Sequence, residues 1–345
     1  MNMKTLIVDR NAEISIKEIP IPRYTTRQAL VKTVSCGVCG SDLKLIELAF
    51  KGFPKESYPL MLGHEGVGRV VAVGSQVVSY KLGDLVLLPF TDADPKLYGT
   101  LQSAWGAFSE YGIVNDAAAY PEGAVPDVAY AQQVIPPDID PVDAAMIVTF
   151  REVLSNIKYF GIKKEDSVVV FGSGPVALTF IRFMNLLGIK AVVSIVRNEY
   201  KKELTLRQGA AYSLDSTKCD IAAEIRKIYP QGVQYVLDAV GSPAVINQAM
   251  GLIADRGEIL CYGVPAVEQM QIDWSTAPYN WKLNFQQMPS KREEAEQFDC
   301  VVKWIREGTV NLKDYISDYF EFSDILTAFE KLKNHKISKK AIIKY

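Results

Sequence analysis

The sequence predicts an α/β protein with two domains, one built on a curled, barrel-like antiparallel sheet and one on a doubly wound parallel sheet. A chain of 345 residues is longer than one hydrophobic core usually supports. Up to about residue 115, short apolar segments alternate with glycine-containing turns at roughly ten-residue spacing, which is typical of an antiparallel barrel. From about residue 154, strand and helix patterns alternate, which is typical of a doubly wound sheet.

Runs of β-branched and apolar residues mark the strands of the first domain. Gly66, Gly68 and Gly74 would allow bends or a close approach of backbone in one of them. The runs predict strands at residues 5–8, 29–34, 66–74 and 84–89.

Apolar runs bounded by turn residues predict strands buried on both faces in the second domain. These strands lie at residues 168–171, 191–196, 235–239 and 258–262. The helices between them lie at residues 176–187, 201–208 and 221–228.

The end of the chain no longer shows the regular alternation of strands and helices. It predicts helices at residues 292–307 and 323–332 and a last strand at residues 340–344. We expect this tail to pack back on the first domain, so that the second domain is an insertion. The predicted domains are therefore residues 1–153 with 289–345, and residues 154–288.

Composition and charge argue against several classes of protein. The formal net charge is −2 and no long run of Lys or Arg occurs, so neither a nucleic acid nor a membrane surface is an expected partner. No window contains about 18 uninterrupted apolar residues, and the first apolar run is too short for a secretory signal. Five scattered cysteines are unlike a secreted disulfide framework. We expect a cytoplasmic protein that binds a small molecule.

A thiolate, an imidazole and a carboxylate occur close together in the first domain. Cys39, His64 and Glu65 form the mixed ligand set of a catalytic zinc site, which keeps about three protein ligands and one open position. Consecutive strand side chains point to opposite faces, so His64 and Glu65 can bind one ion only if Gly63 and Gly66 permit a distorted turn. Taken alone, His64 would be interpreted as a core histidine. The remaining cysteines have no ligand-type neighbours and are expected to pack as small apolar residues: Cys36, Cys219, Cys261 and Cys300.

A glycine-rich turn follows the first predicted strand of the second domain. Gly172 would allow a tight turn, Gly174 a close approach of a pyrophosphate, and Ala177 close packing of the next helix. The alternative is a glycine-rich connection without a ligand. The predicted cofactor-binding residues are Gly172, Ser173, Gly174, Pro175 and Val176, with Arg197, Ala239 and Gly263 at or just after the ends of the following strands.

The end of the next strand bears on which dinucleotide binds. An acidic residue there would hold the ribose 2′-hydroxyl of NAD, whereas an arginine would accommodate the 2′-phosphate of NADP. Residues 191–196 end without an acid and are followed by Arg197, which favours NADP. Glu199 could still recruit NAD, and Arg197 could be a solvated surface residue.

Several motifs occur together in this chain: Cys36-Gly-Val-Cys39-Gly-Ser-Asp42, Gly63-His-Glu65, Gly83-Asp84, Gly172-x-Gly-x-x-Ala177 and Asp238-Ala-Val-Gly241. Jointly they resemble the zinc-dependent medium-chain dehydrogenase family of the alcohol dehydrogenase type, and the resemblance covers nearly the whole chain. The first two motifs are most similar to those of sorbitol and polyol dehydrogenases and their sugar-alcohol-phosphate relatives. The resemblance implies a GroES-like catalytic domain and a Rossmann dinucleotide-binding domain.

The resemblance also implies roles for individual residues. Cys39 and His64 would be zinc ligands, and Glu65 a ligand or a close neighbour of the metal. Ser41 would pass the substrate proton, while Asp42 would orient the turn or a substrate hydroxyl. Relatives commonly form dimers or tetramers through the edges of their dinucleotide domains, and residues 257–263 and 264–272 are candidates for that edge.

Three departures from the family pattern qualify these roles. Residues 85–135 contain no cysteine, so we expect one catalytic zinc and no structural zinc. Val148 and Thr149 stand where relatives often place a Cys, Asp or Glu near the metal; Glu152, one turn further on, could reach in or could be a surface residue. Lys44 replaces a proton-relay histidine, which suggests that the proton leaves through water or a cofactor ribose hydroxyl.

The sequence thus predicts hydride transfer between a secondary alcohol and a nicotinamide dinucleotide. The alcohol would be a polyol, a sugar or a sugar-alcohol derivative, and Asp42, Lys44 and Trp105 are candidate substrate contacts that could equally be packing or surface residues. One alternative is an NADP-dependent reductase of simple ketones or aldehydes. Another is a zinc-poor paralogue that binds dinucleotide as a sensor.

Overall fold

The computed structural model describes residues 1–267 and 269–345. By their internal contacts these residues divide into two units. The first unit comprises Met1–Arg151 and Ser290–Tyr345, and the second comprises Glu152–Pro289. In this described part of the chain, no helix is both long enough and apolar enough to cross a membrane.

Strands dominate the first unit, and strands and helices alternate in the second. The strands are β1 (Asn2–Val8), β2 (Ile14–Pro20), β3 (Gln28–Val38), β4 (Leu60–Met61), β5 (Glu65–Val73), β6 (Leu85–Leu87), β7 (Gln102–Ser103), β8 (Tyr111–Asn115), β9 (Val134–Ile135), β10 (Ser167–Phe171), β11 (Ala191–Val196), β12 (Tyr212–Asp215), β13 (Val233–Asp238), β14 (Ile253–Cys261), β15 (Lys282–Phe285), β16 (Ile316–Glu321) and β17 (Lys340–Lys344). The α-helices are α1 (Gly40–Ile46), α2 (Pro95–Tyr98), α3 (Asp127–Ala131), α4 (Met146–Phe160), α5 (Pro175–Leu186), α6 (Glu199–Arg207), α7 (Ile221–Ile228), α8 (Pro243–Met250), α9 (Lys291–Ala295), α10 (Phe298–Arg306) and α11 (Ile325–Lys333).

The sheets of the first unit bring distant parts of the chain together. One sheet has the order β2-β1-β4-β7, and the larger one has the order β16-β17-β3-β5-β6-β9, with β8 also paired to β3. Gly37 of β3 lies opposite Glu65 of β5, and Val38 lies opposite Ala341 of β17. The residues that follow β3, precede β5 and begin β17 therefore meet at one end of this sheet.

A parallel sheet forms the centre of the second unit. Its order is β12-β11-β10-β13-β14-β15, and every neighbouring pair is parallel. Its core contains buried aliphatic residues such as Val169, Val193 and Val236, because strands buried on both faces need apolar side chains throughout. Strand order reverses between β10 and β13, and ligands of such sheets bind at the carboxyl ends of the strands at this point.

The prediction of one continuous helix at residues 292–307 is wrong, because two helices, α9 and α10, occupy this segment. The backbone N–H of Gln297 bonds to the carbonyl of Glu294, three residues back, which tightens and ends the first helix. The Gln297 side chain donates to the carbonyl of Glu293 and so satisfies a group that a continuous helix would have paired.

The predicted sheet edge at residues 257–263 is also wrong. Strand β14 lies between β13 and β15, and β15 is the edge strand. The chain after β14 returns to pair Lys282–Phe285 with it, and the sequence pattern alone did not reveal this short strand. Of the other candidate edge segment, 264–272, residue 268 lies outside the described residues.

Candidate active site

Three potential metal ligands from the first unit converge where β3 ends and β5 begins. Donor atoms of Cys39, His64 and Glu65 all lie within 4.8 Å of one another. Gly63 allows this approach with a φ of +97°, a left-handed conformation that glycine adopts without strain. A Cβ at this position would lie 2.5 Å from the backbone nitrogen of Phe108. The turn expected before His64 is therefore present, and Gly63 supplies it.

A buried ion pair holds Glu65. Lys340 Nζ lies 2.7 Å from both carboxylate oxygens, and Thr149 Oγ1 donates to Oε1 at 3.1 Å. Glu65 and Lys340 are only 3% and 2% exposed, so the charges can remain inside the protein only because they are paired. Burial raises the pKa of Glu65, but the charges of Lys340 and His64 outweigh it and leave this pKa below its ordinary value.

Lys340 and Thr149 were not predicted as partners of Glu65. Lys340 begins strand β17, whose other end is also a lysine, Lys344, and Lys339 precedes it in the chain, so the sequence pattern did not single Lys340 out as a buried residue. Burial lowers the pKa of Lys340, but Glu65 and Cys39 outweigh it and raise this pKa to about 12.

The imidazole of His64 lies between an acid and a hydroxyl. Asp42 Oδ1 lies 3.3 Å from Nδ1, and Ser41 Oγ lies 3.2 Å from Nε2. Asp42 is completely buried, and its Oδ2 accepts a hydrogen bond from the backbone N–H of Cys39. Asp42 therefore holds both the histidine and the turn that carries the cysteine, and it has no exposed surface with which to contact a substrate.

The electrostatics at this position favour a cation. Burial lowers the pKa of His64, but the charge and hydrogen bonding of Asp42 and then of Cys39 outweigh it, so the pKa lies well above its ordinary value. A pocket that stabilises a protonated imidazole attracts positive charge in general.

The donor set fits a zinc ion. A thiolate, an imidazole and a carboxylate are the ligand types that catalytic zinc sites combine. A carboxylate has about four lone-pair sites, and Lys340 and Thr149 use three of those on Glu65. One acceptor site of Glu65 is thus left for a metal.

In the second unit, the glycine-rich turn leads from β10 into α5. Gly172 has a φ of +124°, Gly174 caps the helix, and Pro175 occupies its first turn, where the backbone N–H that proline lacks has no partner within the helix. Lys201 Nζ donates to the carbonyl of Ser173 at 3.1 Å. The N-terminus of a helix of this kind binds phosphate groups through free backbone N–H groups and the helix dipole.

A cavity of about 930 Å³ lies beside this turn. Gly172, Ser173, Arg197, Ser216 and Cys219 are among the residues that line it. A volume of this size accommodates a cofactor. The predicted turn residues Gly172 and Ser173, together with Arg197, are therefore brought together around one cavity.

The predicted residues Ala239 and Gly263 lie at the ends of β13 and β14. A Cβ on Gly263 would overlap the backbone nitrogen of Gly241, so a glycine is required for two loops to pack together here. Asp238 stabilises the first of these loops by accepting hydrogen bonds from the backbone of Val240 and Gly241.

Comparison with known protein families gives one match for the part of the chain that holds the metal-ligand cluster and one that begins within the dinucleotide turn. Residues 25–127 match the alcohol dehydrogenase GroES-like domain, and residues 175–307 match the zinc-binding dehydrogenase domain. The chain belongs to the zinc-type medium-chain alcohol dehydrogenase family. This confirms the predicted combination of a GroES-like domain with a Rossmann domain, and it makes the chain an oxidoreductase of alcohols that uses a nicotinamide cofactor.

Individual relatives are distant in sequence but align with nearly the whole chain. Sorbitol dehydrogenase of Bacillus subtilis is 23% identical over 342 residues, which cover 96% of this chain and 93% of the relative. The crystal structure of the Escherichia coli CFT073 short chain alcohol dehydrogenase RspB with NADH has a TM-score of 0.79 at 21% identity and covers 100% of this chain and 99% of that one. A zinc-binding dehydrogenase structure from Sinorhizobium meliloti with NADP has a TM-score of 0.78 at 22% identity, with both chains fully covered. Such identities establish the fold.

Among the residues that depart from the alcohol dehydrogenase pattern, Val148 is buried and supplies no donor atom. Glu152 is absent from the donor cluster among the described residues, and its Oε1 accepts a hydrogen bond from the Tyr262 hydroxyl. Lys44 lies half-buried on α1. Trp105 lies beside His64, with 5.5 Å between ring centroids.

Proposed function

We propose that this alcohol dehydrogenase is zinc-dependent and transfers a hydride between a secondary alcohol and NADP. The proposed alcohol is a polyol, a sugar or a sugar-alcohol derivative. The observation that carries the proposal is the cluster of Cys39, His64 and Glu65 donor atoms within 4.8 Å, in a chain that also has a dinucleotide-type turn.

Cys39, His64 and Glu65 would hold the zinc. A zinc ion bound there supplies polarisation of the alcohol oxygen and stabilisation of the alkoxide. Asp42 would orient the imidazole through Nδ1, which leaves Nε2 as the nitrogen for the metal. Lys340 and Thr149 fix the carboxylate of Glu65.

Ser41 is the proposed proton acceptor. Its hydroxyl lies 3.2 Å from Nε2 of His64, and a hydroxyl both accepts and donates a proton in a relay. Lys44 occupies the position of a relay histidine, so the proton would continue to water or to a cofactor ribose hydroxyl. A bound nicotinamide would supply the acceptor for the carbon-bound hydrogen, which would leave as a hydride once the hydroxyl proton has gone to Ser41.

Two features support NADP over NAD. Arg197 lines the cavity of the second unit, where a guanidinium could bind a 2′-phosphate. Glu199, the acid that could recruit NAD, lies 3.5 Å from both Lys202 and Lys218. Those lysines would compete with a ribose hydroxyl for the Glu199 carboxylate.

We also propose a homo-oligomer assembled through β15. This strand is one of the two edges of the parallel sheet, β12 being the other, and unpaired edges of this kind readily pair with another chain. Phe285 on the strand and Tyr279 just before it are both exposed. Sedimentation of the wild type and of Phe285→Asp would test this, with a smaller particle expected for the variant.

One observation supports the alternative of a zinc-poor sensor. Val148 is buried and stands where many members of the family have a metal ligand. The direct experiment measures metal content by mass spectrometry, together with turnover of a panel of polyols, sugars and short secondary alcohols with NADP and with NAD. About one zinc per chain and turnover of polyols with NADP are expected. Protein without zinc or turnover that still binds NADPH would favour the sensor. Turnover limited to short alcohols would favour the reductase of simple ketones.

A further inference from the structure

A row of aromatic rings leads away from the candidate zinc ligand His64. The Trp105 ring lies 5.5 Å from the imidazole at an interplanar angle of 52°. The Phe53 ring lies 6.3 Å from Trp105, and the Phe50 ring lies 6.0 Å from Phe53. Phe50 is buried, whereas Phe53 and Trp105 are partly exposed. The row therefore begins in the core and presents open ring surface beside His64.

The backbone of Trp105 is strained. Its φ is +68°, and Gly106 follows with a φ of +70°. A left-handed conformation is unfavourable for a bulky residue and persists only where the surroundings impose it. The backbone N–H of Thr91 donates to the Trp105 carbonyl at 2.8 Å, and a Cβ on Gly106 would lie 3.0 Å from the Thr91 Cβ. Thr91 therefore helps to hold this turn.

Backbone geometry alone would favour glycine or asparagine in place of Trp105. Burial does not explain the tryptophan fully, since its side chain remains partly exposed. What the tryptophan adds is a large flat ring with an N–H donor, held next to a candidate metal ligand. Strain at such a position is a reason to look for a function of the side chain.

We propose that Trp105 and Phe53 form an aromatic wall that selects carbohydrate-like alcohols as substrates. This inference rests on the proposed zinc-dependent dehydrogenase function and names its specificity element. A polyol or sugar presents C–H groups on one side and hydroxyls on the other, so it matches an indole face and its N–H at once. A three-carbon alcohol is too short to bind at the zinc and cover the wall.

The test compares Trp105→Gly and Trp105→Phe with the wild type on a hexitol and on propan-2-ol. Glycine removes the ring and relieves the left-handed backbone, so melting temperature and zinc content should stay near those of the wild type. We expect kcat/KM for the hexitol to fall by about 10- to 100-fold with glycine, chiefly through KM, and to recover largely with phenylalanine. The value of kcat/KM for propan-2-ol should fall by a clearly smaller factor than the value for the hexitol.

Tryptophan fluorescence provides a readout that does not depend on turnover. Addition of the hexitol to zinc-loaded protein without dinucleotide, where no oxidation can occur, should change the emission of the wild type and of the exposed-site control Trp274→Phe, but not that of Trp105→Phe. Equal losses on both alcohols, or no loss on either, would overturn the wall while the dehydrogenase function stands. A wild type that turns over no alcohol would overturn both.

Discussion

The metal cluster of the first unit and the dinucleotide turn of the second are assembled in opposite ways. The cluster joins residues that follow β3, precede and begin β5, and lie on α4 and β17, and its organising contact links Glu65 to Lys340, 275 positions apart. The dinucleotide turn lies within residues 172–177 and depends on backbone shape. The first region is held by paired charges and the second by the absence of side chains, so different substitutions should damage each.

The largest expected effect is at the metal cluster. Cys39→Ser replaces a thiolate by a hydroxyl, which is a poor zinc ligand at neutral pH. We expect loss of bound zinc and a fall in alcohol turnover of about 1,000-fold or more, measured by mass spectrometry and steady-state kinetics.

The matched control is Cys300→Ser on α10, which should keep both zinc and turnover. Dinucleotide binding should survive in both variants, because the turn of the second unit contains no metal ligand. Retention of zinc by Cys39→Ser would refute the proposed ligand set.

The buried ion pair should produce the next largest effect. Lys340→Met leaves the carboxylate of Glu65 buried without its counterion, which costs about 3–5 kcal/mol in similar cases. Lys344→Met is the control on the same strand, because Lys344 pairs with Glu321 near the surface, where both side chains are over a third exposed, and its loss should cost about 1 kcal/mol or less. Urea unfolding of the metal-free protein measures both.

The loss of unfolding free energy in Lys340→Met should be smaller when zinc is added, since a bound cation also neutralises the carboxylate of Glu65. An equal loss for the two lysine variants would show that the buried pair does not organise the site.

The pH dependence of this pair follows from the two pKa shifts. Lys340 has a folded-state pKa of about 12, above its unfolded value, so its contribution to stability is complete below the unfolded pKa and is lost as pH rises toward about 12. Glu65 has a lowered pKa, so its contribution is lost as pH falls below the unfolded pKa of about 4.3. The contribution of the pair to wild-type stability should therefore be constant from about pH 6 to 9. In Lys340→Met, burial without a counterion raises the pKa of Glu65, so the difference in unfolding free energy between this variant and the wild type should shrink as pH falls through that range. A difference that stays the same at every pH would contradict a buried Glu65 that depends on Lys340 for its charge.

The same contrast explains what could be predicted from sequence. The glycine-rich turn is local, and its spacing identified strand, turn and helix correctly. Cys39, His64 and Glu65 were recognisable as ligand types, but Lys340 became visible only through the pairing of β17 with β3. Strand β15 was missed for a similar reason, since its four residues are recognisable only beside β14. Long-range pairing supplies the charge partners, and single-sequence patterns do not encode it directly.

Gly174→Ala should separate folding from cofactor binding in the second unit. No heavy atom would lie within 4 Å of the added Cβ, and φ at Gly174 is −79°, so alanine fits the structure without strain. A bound pyrophosphate would approach this backbone closely, and we expect NADPH affinity to fall by about 10- to 100-fold at an unchanged melting temperature.

Gly172→Ala is the contrasting variant, because its φ of +124° should make alanine destabilising by about 1–2 kcal/mol. Fluorescence titration with NADPH and thermal unfolding distinguish the two. Unchanged affinity in Gly174→Ala would mean that the turn is a connection without a ligand.

Arg197→Ser should have the smallest effect and concerns only the choice of dinucleotide. Loss of a charged contact to a 2′-phosphate should weaken NADP binding about tenfold and leave NAD binding nearly unchanged. The control is Arg207→Ser, which removes the same charge from a side chain that is 74% exposed and pairs with Glu203. It shows how much of the effect comes only from the change in net charge of the second unit.

High salt should reduce the difference between Arg197→Ser and the wild type only partly if the guanidinium contacts the phosphate directly, because close pairs are screened less than distant ones. Equal changes in NAD and NADP affinity would instead mark Arg197 as a solvated residue. Glu199 would then be the candidate ribose acceptor, and Lys202 and Lys218 would have to release its carboxylate before NAD could bind.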